Sequence, residues 1–236
     1  MRYIIANWKM NPQSMGEAET ATRQIAEGIE DLKEVEVVVC PPFPFLQSLT
    51  PFTKANLSLG AQNAFWEGEG AFTGEVSPLL LKNLGCEYVI LGHSERKKYL
   101  GETSEMTGKK LVAAAKSQLR VILCSENSEE LAEILKGVDK QVGSSLIAVY
   151  EPSFAISSSG KSNAESPARA REQIDSMRKL LEETFGAAIP VLYGGSVDAT
   201  NIKGFLDEAG ADGALVGHAS LDPAEFCSLV KEASLR

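Results

Sequence analysis

Short apolar runs recur along this chain at regular spacing. They are Arg2–Ala6, Val35–Cys40, Leu57–Gln62, Glu87–Gly92, Leu119–Cys124, Ser145–Tyr150, Ile189–Tyr193 and Gly213–Gly217. Each has the length of a strand, and several are rich in β-branched residues. Most are nearly continuous in apolar character rather than alternating. That pattern predicts parallel strands covered on both faces.

Between the runs the period changes to that of a helix. Ser14–Leu32 carries Met15, Ala18, Ala21, Ile25 and Ile29 on one face. Thr103–Ser117 opens on a capping threonine, and Asn127–Lys136 reads as another helix. Ser166–Phe185 stops at Gly186, and Asp222 followed by Pro223 opens the last helix. Strand then helix, repeated about eight times, predicts a (β/α)8 barrel. A doubly wound open sheet is the competing arrangement. It normally carries a Gly-rich nucleotide turn after its first strand, and here that place holds Asn7-Trp8-Lys9-Met10-Asn11. No linker or low-complexity tract divides the chain, so one domain over residues 1–236 is expected.

Composition narrows the function classes. The formal net charge of −9 argues against a general nucleic-acid binder, and no run of about 18 apolar residues predicts a membrane span. The first residues lack the apolar stretch of a signal peptide, which leaves the cytoplasm as the expected address. Cys40, Cys86, Cys124 and Cys227 form no C-x-x-C pair and read as buried free thiols. With His93 and His218 the only histidines, a His-rich metal site is nearly excluded.

In a barrel of this kind, chemistry gathers where strands end at the C-terminal mouth. Asn7 and Lys9 follow the first run, and the lysine is a candidate anion binder. Gly92-His93-Ser94-Glu95-Arg96 follows the fourth. Ser94 and Glu95 look like the cap and first turn of a helix, whose amides would keep the imidazole neutral. Glu151, after the sixth run, is a general-base candidate. Ser153–Lys161 combines an apolar stretch with a small polar tip, as a lid would. Gly194-Gly195-Ser196 and Gly217-His218-Ala219-Ser220 end the last two runs, where backbone amides can hold a phosphate. Singly, each has a plainer reading: a snorkelling lysine, a structural histidine, an ordinary loop, tight turns. Together, a cation, an imidazole, a carboxylate and two glycine turns suggest proton transfer on a small phosphorylated carbonyl compound.

The sequence resembles the triosephosphate isomerase family along nearly its whole length. The resemblance is carried by Asn7–Asn11, Gly60-Ala61-Gln62-Asn63, Gly70–Glu75, Gly92–Arg96, Tyr150-Glu151-Pro152 and Tyr193–Ser196, in family order. It implies an α/β, single-domain (β/α)8 TIM barrel. The implied enzyme is an isomerase that interconverts dihydroxyacetone phosphate and glyceraldehyde 3-phosphate in glycolysis and gluconeogenesis. By the same resemblance Glu151 matches the base and His93 the neutral electrophile, a pairing the physical literature of catalysis uses as a model case. Lys9 matches the cation beside the developing enediolate, and Asn7 helps hold the substrate oxygens. Glu95 supports Lys9, and Ser196, Gly217 and His218 supply the phosphate turn. Tyr193 latches the lid, Ile156 covers the base, and Thr73 reaches into a partner subunit. No metal or organic cofactor is implied, and a homodimer is.

Three segments depart from the family pattern. The lid reads E-P-S-F-A-I-S-S-S-G-K from Glu151 to Lys161, where the family has E-P-V-W-A-I-G-T-G-K. His218 replaces the second glycine of the phosphate turn, at a cost of about 1 kcal/mol if its φ is positive. Cys124-Ser125-Glu126-Asn127 replaces C-I-G-E, with a shortened stretch behind it. A phosphate-binding barrel with weakened or lost isomerase activity is therefore the second reading. A Schiff-base aldolase is disfavoured, because Lys9 lies past the end of its strand rather than inside the barrel.

Overall fold

The computed structural model describes residues 1–155 and 165–235. Eight parallel strands close into a barrel in sequence order. They are β1 (Arg2–Asn7), β2 (Val35–Cys40), β3 (Leu57–Ala61), β4 (Tyr88–Leu91), β5 (Arg120–Ser125), β6 (Leu146–Tyr150), β7 (Val191–Tyr193) and β8 (Gly213–Val216). β8 returns to β1 in the register Tyr3↔Gly213 to Ala6↔Val216. All eight expected strands are present, with ends displaced by up to two residues. β7 starts later than expected, after Pro190, whose nitrogen cannot donate to a ladder.

The helices are α1 (Met15–Gly28), α2 (Leu46–Leu49), α3 (Pro78–Asn83), α4 (Ser94–Leu100), α5 (Ser104–Lys116), α6 (Ser128–Ile134), α7 (Pro167–Phe185) and α8 (Pro223–Ser234). Their ends follow the capping residues. Thr103 and Asn127 accept from backbone N–H groups of α5 and α6, Asp222 does so for α8, and Gly186 closes α7 at φ 72°. The expectation of a helix after every strand fails in two places. After β2 the chain makes only α2 between two 3-10 turns, in a segment broken by Pro42, Pro44 and Pro51. Between β7 and β8 it makes a π-helical turn, Gly204–Glu208. α1 ends at Gly28, short of Leu32, where a Cβ would lie 2.5 Å from Cys227 Sγ on α8.

Two apolar layers result. Ile5, Val38, Cys40, Ile90, Ile122, Cys124, Ile147, Val149, Leu192 and Leu215 fill the barrel interior. Their sequence neighbours face the helices, as Ile4, Ala6, Leu123 and Ala148 do. β3 contributes Gly60 to the interior, since a Cβ there would lie 2.6 Å from Cys40 Sγ. The N-terminal end is plugged by polar groups. Arg120 donates to the Tyr88 and Tyr3 hydroxyls at 2.7 and 3.0 Å, and Tyr88 and Ser58 donate to Glu36. The Arg120 guanidinium also lies over both tyrosine rings. All four cysteines are free and buried.

Candidate active site

The inward parity of the strands runs on past their ends and points polar residues into the C-terminal mouth. Ile5 leads to Asn7, Val149 to Glu151, Leu192 to Gly194 and Leu215 to Gly217. There a cleft of about 100 Å³ brings together Asn7, Lys9, His93, Glu151, Ser196, Gly217 and His218.

Lys9 occupies the left-handed region at φ 53°, a conformation that costs a residue with a Cβ roughly 1 kcal/mol. The surroundings hold it there. Its N–H donates to Asn7 Oδ1 at 3.1 Å, and Gln62 donates to its carbonyl at 2.8 Å. The ammonium lies 2.6 Å from Glu95 Oε1.

His93 is itself the N-cap of α4, which corrects the expectation that Ser94 caps it. Its Nδ1 accepts the Glu95 N–H at 3.2 Å. The Glu95 carboxylate stands further off, 3.7 Å from the same nitrogen, so the amide decides the tautomer. A ring nitrogen that accepts carries no proton, so the ring is neutral and its proton sits on Nε2. Nε2 lies 2.9 Å from Glu151 Oε1 and donates to it.

Glu151 is fully enclosed. Besides the His93 bond it accepts from the Ser94 N–H at 2.9 Å and the Ser94 hydroxyl at 3.0 Å. Burial on its own pushes the carboxyl up. The hydrogen bonds donated by His93 and Ser94 oppose it and hold Glu151 below the ordinary carboxylate range.

The glycine turns behave differently from one another. Gly195 is forced, because a Cβ would lie 2.2 Å from the Tyr193 hydroxyl. Ser196 spends both its N–H and its hydroxyl on the Ala155 carbonyl, at 3.0 and 2.7 Å. Its donors therefore engage the start of the lid segment rather than the open cleft. The Tyr193 hydroxyl accepts the Glu165 N–H at 3.3 Å, and its ring stacks on Phe205 at 3.8 Å. Tyr193 thus contacts Glu165, which follows the lid segment in the chain. His218 does not adopt positive φ, so the strain considered for it does not arise. Thr73 lies on an exposed loop outside the cleft, and Ile156 falls outside the described residues.

Sequence reasoning missed three contributors. Ser94 is the chief partner of Glu151, and Asp198 and Glu225 add carboxylates to the cleft wall. Ser94 sits in a motif already noted, but nothing local says that it meets a residue 57 positions away. Among the described residues, no group of three or more His, Cys, Asp or Glu side chains could hold a metal ion.

Fold and cleft together define a (β/α)8 barrel enzyme equipped for acid–base chemistry on a small anion. The family is specific. A sequence profile described as Triosephosphate isomerase matches residues 2–233, and the chain belongs to the triosephosphate isomerase family. Among curated relatives, the triosephosphate isomerase of Dictyoglomus thermophilum is 39% identical, over 98% of both chains. That of Dehalococcoides mccartyi is 39% identical over 100% of this chain and 98% of its own. That of Carboxydothermus hydrogenoformans is 41% identical over 97% of each.

Proposed function

We propose that this chain, as one barrel domain over residues 1–236, interconverts dihydroxyacetone phosphate and D-glyceraldehyde 3-phosphate through an enediol(ate). The observation that carries the reading is the placement of a buried carboxylate 2.9 Å from a neutral imidazole, beside a cation, at one barrel mouth.

Glu151 removes the proton from the carbon next to the carbonyl and returns it to the neighbouring carbon. In the described state its oxygens are occupied by His93 and Ser94. Substrate must draw it away from those donors. Without them, burial dominates and the carboxylate becomes a stronger base. His93, freed of Glu151, aims its Nε2 proton at the substrate oxygens. A neutral donor can both give and retake that proton. Lys9 and Asn7 face the charge that develops on the enediolate, with Glu95 holding the ammonium in place. The Gly217 and His218 turn and Ser196 receive the phosphate, once Ser196 releases Ala155. Tyr193 holds the far end of the lid, and Ile156 covers the base. No metal or organic cofactor has a step in this scheme.

The pathway is glycolysis and gluconeogenesis, and the compartment is the cytoplasm. Four unpaired, buried thiols suit a reducing compartment. The assembly is a homodimer, with Thr73 at the tip that enters the partner. The exposure of Phe72 beside it, and of Met10 at the mouth, supports this reading. Neither nucleic acid nor membrane is a partner. Among the described residues, no helix is long and apolar enough to cross a membrane.

A coupled assay of triose phosphate interconversion, with Glu151→Ala as control, tests the reaction. Turnover by the parent and none by the variant is expected. A parent that binds phosphate esters without turnover would instead support the second reading, a barrel that kept the site and lost the reaction.

A further inference from the structure

His218 is the first residue of a short turn, His218–Ser220, and its side chain is exposed at the rim of the cleft. The turn runs alongside the lysine. A Cβ on the preceding residue, Gly217, would lie 3.6 Å from Lys9 Cε and 3.8 Å from Nζ. Among the described residues, no group bonds the His218 ring.

The charge around it is one-sided. Lys9, at the end of β1, is the only Lys or Arg on the described cleft wall, and Glu95 of α4 already pairs with it. Glu151 after β6, Asp198 after β7 and Glu225 on α8 put three carboxylates on the same wall. The other imidazole, His93 after β4, is bonded to Glu151. Asp198 is tied to the Thr200 and Asn201 N–H groups. A phosphate dianion entering a chain of net charge −9 therefore meets more carboxylate than cation.

We propose that the His218 imidazole is a second cationic contact for the substrate's phosphate group, so that affinity for the ester rises as the medium becomes more acidic. The inference rests on reading the cleft as the triose phosphate site. Histidine is the side chain that ordinarily gains its charge between pH 5 and 8. Asp198 and Glu225, on the same wall, bind no anion themselves. The expected size is that of one exposed ion pair, about threefold in affinity.

Sulfate serves as the probe, because it remains a dianion throughout this range and reports only on the protein. Its dissociation constant is measured by titration calorimetry from pH 5.5 to 8.0 at constant ionic strength. Between those limits the parent should lose about threefold more affinity than His218→Gln, while His218→Lys should bind tightly throughout. The KM for triose phosphate should show the same separation. Parallel curves for the parent and His218→Gln would overturn the proposal and assign the slope to His93 and the carboxylates. Absence of turnover in the parent would remove the isomerase reading instead, and the sulfate curves would still report on His218.

Discussion

The two mouths of this barrel carry similar side chains and use them in opposite ways. At the N-terminal mouth, Arg120, Tyr3, Tyr88, Ser58 and Glu36 satisfy one another. At the C-terminal mouth, Lys9 is held in a costly backbone conformation, and Glu151 is bonded to groups that would release it in the proposed reaction. One end ends its polar groups in mutual contacts. The other keeps them strained or temporarily partnered, so that a ligand can take them over. Strand geometry alone does not make a site; the difference lies in which polar groups are left with something better to bind.

The comparison can be broken most sharply at Glu151. Replacing it with Gln should lower kcat by about 10²–10⁴-fold in the coupled assay. Its melting temperature should also fall, because the amide NH2 must face either the His93 Nε2–H or the Ser94 N–H, donor against donor. Next comes Lys9→Met, which should lower kcat/KM by about 10²-fold through lost electrostatic stabilisation. Lys9→Gly should be equally inactive, yet more stable than Lys9→Met by roughly 1 kcal/mol in urea, because glycine accepts the positive φ. At the opposite mouth, Arg120→Met should destabilise by about 1–3 kcal/mol, since it removes the donor to two tyrosine hydroxyls. Its kcat/KM should stay near the parent value; a large loss would mean that the two ends are coupled.

The smallest effect is on pH dependence, and it has opposite sign at the two ends. Glu151 titrates below its unfolded value, so its contribution is complete above about pH 4.3 and is lost as pH falls through the folded value. Tyr88 is pushed up by burial and by the Glu36 carboxylate, against the pull of Arg120. Its contribution is complete below about pH 10 and is lost as pH rises through the folded value. Urea midpoints across pH should therefore flatten on the acid side in Glu151→Gln and on the alkaline side in Tyr88→Phe.

The C-terminal mouth was far more legible in the sequence than the N-terminal one, and the reason is physical. Each strand-end group follows an apolar run directly, so Lys9, His93, Glu151 and the glycine turns announce their position by adjacency. The plug does not. Its arginine, tyrosines and carboxylate come from four strands, and nothing in any one run says that they meet. The buried Glu102–Lys110 pair is equally silent. It joins the residue before the cap of α5 to the body of that helix, and Lys110 also reaches Asn63 after β3. The caps Thr103, Asn127 and Asp222 were legible, whereas Ser77, which caps the short α3, was not. His93 was not, because an imidazole seldom caps, and here the capping is what fixes its proton on Nε2.

The junction of β8 with β1 has a consequence for how the protein is made. Gly213 lies so close to the Tyr3 backbone that a Cβ there would be 1.9 Å from its carbonyl oxygen. The seam therefore fits only after both strands are in hand, and they lie at opposite ends of the sequence. During synthesis the chain emerges with β1 first, its outer edge unpaired until residues 213–216 have left the ribosome. Lys9 and the Gly217 turn are neighbours only across that seam. A nascent chain thus lacks the proposed phosphate site until residues 213–217 have been made, and it must be kept from pairing elsewhere while it waits.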